Sequence, residues 1–345
     1  MPPARRHPTM ADVAARAGVS VSTVSRTLRG LSNVSPDVRA RVENAARALN
    51  FAVSRHASSL VTGRTGVVAA LVPTLDSWFM GSALSALGPL LRAADLQLTV
   101  YVTPDLAERA AFFERLPARR NADALLVFCF DLTEQESARL DDLGMPVVYV
   151  SQHADGRPSV YVDDGAAAEV GTRHLLHLGH RRIAFMQSAG PTGFSFSSHE
   201  RLLGHRRALT EAGVPLDDSL VVAAPAADRR AVAEALGELL GLREPPTAVF
   251  AEQDELAVSL IWTLRRSRIE VPERMSVLGF DDQPVAELFD LTTVAQSPAD
   301  MGREAGELVL SLIADPGADP ARHVLLPTRL IPRGSTGPAP GADTD

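Results

Sequence analysis

The sequence predicts an α/β protein with a helical head: three short helices ahead of two similar lobes built on parallel sheets. From Gly66 onward, near-continuous apolar runs alternate with amphipathic helical stretches, the pattern of parallel sheets covered on both faces. So many runs exceed one comfortable sheet, which points to two lobes. Before Gly66 the pattern is helical and the charge changes sign. Residues 1–64 hold ten arginines against Asp12, Asp37 and Glu43, a net of +7; the whole chain is −8, leaving −15 for residues 65–345.

In the head, Val13, Ala14 and Ala17 give a first helix one apolar stripe. Gly18 ends it, Val19 plugs the turn, and Ser20 caps a second helix. Val24 and Leu28 point inward there; Ser22, Ser25, Arg26 and Arg29 share the opposite face. This is a helix-turn-helix whose second helix fits the DNA major groove. Arg26 has the fork to bind a guanine edge, the serines reach bases or phosphates, and Val21 suits a thymine methyl. A surface hairpin with no DNA role shares the local pattern. The basic head on an acidic body favours phosphate-backbone binding. Ser35-Pro36-Asp37 opens a third helix, with Val38, Val42, Ala45, Ala46 and Leu49 as its stripe. Residues 54–64 suffice for barely two helical turns, too few to be stable alone, and read as a linker.

In the body, strands are expected over Val67–Val72, Leu96–Val102, Ala124–Phe130, Val147–Val150 and Val160–Val162, with helices over Gly81–Ala94, Ala107–Leu116 and Glu134–Leu143 between them. A second set follows: strands over Ile183–Met186, Leu220–Ala223, Ala248–Ala251, Ser276–Phe280 and Thr293–Ala295, with helices over Gly165–Leu178, Glu200–Ala212, Arg229–Leu240 and Asp254–Arg266. A helix over Pro298–Ile313 and a strand over Val324–Ile331 close the pattern. The tail Arg333–Asp345, rich in Gly, Pro and Thr, is expected to be disordered.

Composition narrows the function classes. Hydrophobic content of 46% and charged content of 22% are those of a soluble globular protein. The single cysteine, Cys129, excludes an internal disulfide and a cysteine-rich zinc site, and reads as a buried strand residue. No apolar core follows the N-terminal basic residues and no run reaches membrane length, so a cytoplasmic protein without a membrane partner is expected. His174, His177 and His180 invite a metal reading, but His180 follows the helix stop Gly179 and no carboxylate lies at ligand spacing. There is no phosphate-cradling glycine loop, nucleophile elbow or zinc-protease helix, so neither an enzyme nor a cofactor is expected.

Several segments stand in a telling order: Thr9-Met10-Ala11-Asp12-Val13-Ala14, Gly18-Val19-Ser20, Thr23-Val24-Ser25-Arg26, Leu49-Asn50-Phe51, Leu178-Gly179-His180-Arg181-Arg182-Ile183-Ala184, Glu200-Arg201-Leu202-Leu203-Gly204, and Ser276-Val277-Leu278-Gly279-Phe280-Asp281-Asp282. Each is weak alone. Jointly, over residues 9–332, the chain resembles the LacI/GalR (lactose-repressor-type) family of bacterial transcriptional regulators. The resemblance implies a homodimeric repressor of palindromic operator DNA, with a DNA-binding domain (1–53), a hinge helix (54–64) and a periplasmic-binding-protein-like effector domain (65–332). Lobe 1 would take about 65–161 and 297–325, and lobe 2 about 162–292 and 326–332. By matching position, Val21, Ser22 and Arg26 would set operator sequence, and Ser20, Thr23, Ser25 and Asn33 would touch phosphates. Ala57 and Leu60 would meet DNA from the hinge, Leu60 as a minor-groove wedge.

The implied effector site lies between the lobes, at the carboxyl ends of strands. Its matching positions are Trp78, Phe79, Asp163, Arg201, Gln253, Asp281 and Gln296. A charged and amide-rich ring with aromatic platforms suits a polyhydroxylated ligand, so a sugar or sugar derivative is the expected effector and a nucleobase-like one the alternative. Other readings stay open: Asp281 as a strand–helix cap, Arg201 as a solvated helix arginine, Phe79 as lobe core, and the whole chain as a solute-binding protein with a vestigial head. The chain departs from the family pattern at Gln253 and Asp164, where asparagine is usual, and in its hinge, which begins Phe51-Ala52-Val53-Ser54.

Overall fold

The computed structural model describes residues 8–28, 33–51, 63–188, 195–225, 228–315, 317 and 322–341. The chain divides into two compact units, Met1–Gly66 and Val67–Asp345. Ala57 and Leu60, and with them most of the expected hinge helix, lie outside the described residues.

The first unit holds α1 (Met10–Ala17), α2 (Val21–Leu28) and α3 (Pro36–Ala48). Thr9 and Asp12 form a capping box on α1. Gly18 ends it at φ 64, in the left-handed region that glycine adopts without penalty. Thr23 donates its backbone N–H to Ser20 Oγ at 3.1 Å, so Ser20 caps α2. The core is Val13, Ala14, Ala17, Val24, Val42, Ala45 and Ala46; Val19, expected to plug the turn, is half-buried against it. Arg41 on α3 donates to the carbonyl of Ala17 at 2.5 Å and fastens the end of α1.

The second unit contains two six-stranded sheets. Lobe 1 comprises β1 (Val67–Val72), α4 (Trp78–Ala93), β2 (Gln97–Val102), α5 (Leu106–Arg115), β3 (Ala124–Phe128), α6 (Glu134–Asp141), β4 (Val147–Val150) and β5 (Ser159–Val162). Lobe 2 comprises α7 (Asp164–His177), β6 (Ile183–Ser188), α8 (Phe196–Glu211), β7 (Val221–Ala224), α9 (Arg229–Leu240), β8 (Ala248–Ala251), α10 (Asp254–Arg266), β9 (Ser276–Asp281), α11 (Pro284–Leu288) and β10 (Thr292–Ala295). The chain then returns through α12 (Pro298–Ala314) and β11 (His323–Leu326) to lobe 1, and through β12 (Arg329–Ile331) to lobe 2. Sheet order is β11-β5-β4-β3-β1-β2 in lobe 1 and β12-β10-β9-β8-β6-β7 in lobe 2. All pairs are parallel except β10 with β12.

Three expectations need correction. The strand expected over Val324–Ile331 is two strands in different sheets; Pro327, which lacks an N–H, stands between them. The strand expected to run to Phe130 stops at Phe128. Cys129 follows at φ 61, half-buried in a loop rather than a strand. The tail expected to be disordered is docked over residues 333–341. Ser335 is buried; its carbonyl accepts the Val277 N–H at 2.8 Å and its hydroxyl donates to the Val277 carbonyl at 2.6 Å. Ala339 donates its N–H to Leu178 O at 2.8 Å. His180, set aside as a metal ligand, holds this tail from below. It is fully buried, with its ring nitrogens 2.8 Å from Thr247 Oγ1 and 3.0 Å from both Ser276 Oγ and Gly337 O.

Candidate functional site

The first candidate surface is the outer face of α2. Ser22 and Arg26 are exposed there and Val21 is 47% exposed. Ser25 is half-buried and Asn33 exposed. Ser20 Oγ lies 2.8 Å from both Ser22 Oγ and Thr23 Oγ1, so the first turn presents a joined set of hydroxyls. The inward positions are Val24, half-buried Leu28 and Thr27, which the apolar pattern had not singled out. Thr27 is buried because its hydroxyl donates to the Thr23 carbonyl at 2.9 Å, satisfying it within the helix.

The second candidate lies in the other unit, between its lobes: a cleft of about 390 Å³ at the carboxyl ends of the strands. Phe79, Arg201, Gln253, Asp281 and Gln296 line it. Phe79 also packs against the lobe 1 core, as the alternative reading had it, while remaining half-buried at the cleft wall. Trp78 is half-buried at the first position of α4 and is not among the lining residues. Asp163 is exposed and accepts the Ala166 N–H at 2.8 Å, capping α7 outside the cleft. Its neighbour Asp164 turns inward instead.

Arg201 is the centre of this cleft. It is 6% exposed, donates from Nε to Asp164 Oδ1 at 2.7 Å and from Nη1 to the Glu252 carbonyl at 2.6 Å, and its Nη1 lies 3.9 Å from Asp281 Oδ1. The guanidinium lies 3.6 Å over the Phe280 ring, a cation–π contact. α8 is brought close to α7 by glycine: a Cβ on Gly204 would stand 2.0 Å from the Gly165 carbonyl oxygen. Asp281 ends β9 at φ 114, strained for a non-glycine residue. It is held there by Gln296 Nε2, donating at 2.7 Å, and Gln283 Nε2, donating at 3.2 Å. Burial raises the carboxyl pKa of both Asp164 and Asp281.

Glu252, Glu255, Gln283 and Ser198 also line the cleft and were not foreseen. Ser198 Oγ donates to Glu252 Oε2 and accepts from Gln187 Nε2 at 3.0 Å. Burial pushes Glu252 up to about 7, against the Ser198 hydrogen bond. Asp254, behind the cleft, is pushed up to about 8 by burial and by Asp281. The overlooked signal was position. Glu252-Gln253-Asp254 follow β8, and Asp282-Gln283 follow Asp281 at the end of β9, both apolar strands that end at the cleft.

Residues 9–54 match the family of bacterial regulatory proteins of the lacI type, and residues 172–336 match a periplasmic binding protein-like domain. The transcriptional regulator CelR of Thermobifida fusca is 33% identical over 338 residues, covering 93% of this chain and 96% of its own. The chain belongs to the LacI family. This LacI-family protein is therefore a DNA-binding transcriptional regulator with a ligand-binding domain, not an enzyme. The repressor PurR of Vibrio atlanticus (strain LGP32) is 30% identical to it over 312 residues, covering 89% of this chain and 92% of its own. A solved structure described as the CelR–cellobiose complex superposes on the LacI-family chain with a TM-score of 0.68 at 30% identity, over 95% of this chain and 99% of that one. Among the described residues no helix is long and apolar enough to cross a membrane, and no group of three metal-ligating side chains occurs.

Proposed function

We propose that this regulator is a homodimeric repressor of a palindromic operator, and that a carbohydrate seated in the inter-lobe cleft switches its affinity for DNA. The observation that carries the ligand class is the ring of Arg201, Asp281, Gln253, Gln283 and Gln296 around the cleft. A carboxylate, three amides and a guanidinium, each with fixed partners, suit a ligand whose every hydroxyl both donates and accepts. The only aromatic ring lining the cleft among the described residues is Phe79, a sparse platform for a flat base. The solved relative bound to cellobiose supports the same class.

Val21, Ser22 and Arg26 read the operator in this proposal. Ser20, Thr23, Ser25 and Asn33 contact its phosphates, with the hinge residues Ala57 and Leu60 in the minor groove. Ligand binding shifts the balance between two lobe arrangements and so between two spacings of the DNA-reading units. Thermal melting of the full chain against neutral sugars, amino sugars, sugar phosphates and nucleobases tests the ligand class. A stabilising shift confined to carbohydrates is expected. A shift confined to nucleobases would replace the carbohydrate with a base.

A further inference from the structure

The charges that line the cleft do not balance. Among the described lining residues the carboxylates are Asp76, Glu252, Glu255 and Asp281, and the only cation is Arg201. That guanidinium is already engaged by Asp164, which does not line the cleft. Four helix N-termini also reach the wall, through the capping positions Ser77, Ser195, Gln253 and Gln283, the last on a helix of only five residues. At about half a charge each, the three longer helices offset only about half of the formal net −3. One of them is in use, because Glu255 accepts the backbone N–H of Trp78.

The unmet hydrogen bonding has the same sign. Gln296 is 8% exposed, and its Nε2 is committed to Asp281. This fixes the amide orientation and leaves Oε1 as a buried acceptor with no donor. The cleft thus combines an excess of carboxylates with an acceptor that has no donor, and an ammonium group answers both, with a positive charge and three N–H donors. We propose that the effector is a carbohydrate bearing a protonated amine, an amino sugar, in preference to a neutral or phosphorylated one. This rests on the carbohydrate reading above. The crowded acids have a second escape, protonation: burial pushes Glu252 up to about 7. A cation held against them returns them to their ionised state.

The test is calorimetric titration of the full chain at pH 7 with three β-1,4-linked disaccharides. These are the glucosamine disaccharide, its N-acetylated form and cellobiose, alike in linkage and differing in charge. The amine form is expected to bind about tenfold or more tightly than either neutral form. Glu252→Gln, which keeps the shape of the side chain and its partner Ser198, is expected to reduce that preference severalfold. A melting curve confirms that the variant is folded. If cellobiose or the acetylated form binds as tightly as the amine, the amino-sugar proposal falls and the carbohydrate reading stands. If none of the three binds, both fall.

Discussion

Arg201 faces two buried carboxylates, Asp281 in the cleft and Asp164 behind it, so its loss exposes the cost of each. Arg201→Ala leaves Asp164 and Asp281 buried without their cation. A stability loss of about 3–5 kcal/mol is expected in urea denaturation; a loss within error of zero would show the carboxylates to be protonated or hydrated in the native state. Glu252 makes a separate, pH-dependent contribution. Its pKa is higher in the folded state, about 7, than its ordinary 4.5, so the native state holds the proton more tightly. The associated stability is fully present below about pH 4.5 and is lost as pH rises through about 7, by roughly 3 kcal/mol. The variant Glu252→Gln should therefore gain in melting temperature relative to the native chain across that window, and a pH-independent difference would contradict the assignment. At the DNA face, Arg26→Ala should weaken the preferred operator by about 1–3 kcal/mol and relax base preference at one position. Equal weakening on operator and random DNA would make Arg26 a phosphate contact only.

The elements of the body were largely legible because strands buried on both faces read as unbroken apolar runs, and β1, β8 and α9 fall where those runs lie. Element ends were less legible because they depend on single caps. α4 begins at Trp78, three residues before the expected start, because the Ser77 hydroxyl accepts the Met80 N–H at 3.1 Å. The same one-residue sensitivity decided between Asp163 and Asp164. The first sits outside the helix as its cap, and the second, one step on, faces α8 and Arg201. Composition misjudged the tail, since a Gly- and Pro-rich segment carries no periodicity even where alternate residues, Arg333, Ser335, Gly337 and Ala339, bond through their backbone. Ending the chain at Pro332 removes partners from Val277, Thr292 and His180. At about 1–3 kcal/mol for each buried group left unsatisfied, this should lower the melting temperature by several degrees; an unchanged value would show the tail to be an ornament. Gly204→Ala tests the α7–α8 approach. Its Cβ meets backbone, not a yielding side chain, so a loss of about 1–3 kcal/mol is expected.

For the whole molecule, the separation of charge is the feature that composition alone conceals. A net of −8 suggests nothing about nucleic acid, whereas a +7 segment joined to a −15 body does. Operator affinity should accordingly fall steeply with salt, in proportion to the phosphates neutralised. The polar residues lining the cleft were harder to read, because Glu252, Glu255 and Gln283 look like ordinary strand-end and helix-start residues until the fold of lobe 2 gathers them at the cleft beside Arg201. If occupancy of this cleft controls DNA binding, it changes the Kd for an operator fragment selected by the protein itself, measured with and without a saturating carbohydrate. A change of about fivefold or more is expected in the native chain, and none in Asp281→Ala. An unaltered Kd in the presence of a carbohydrate shown by calorimetry to occupy the cleft would contradict that control.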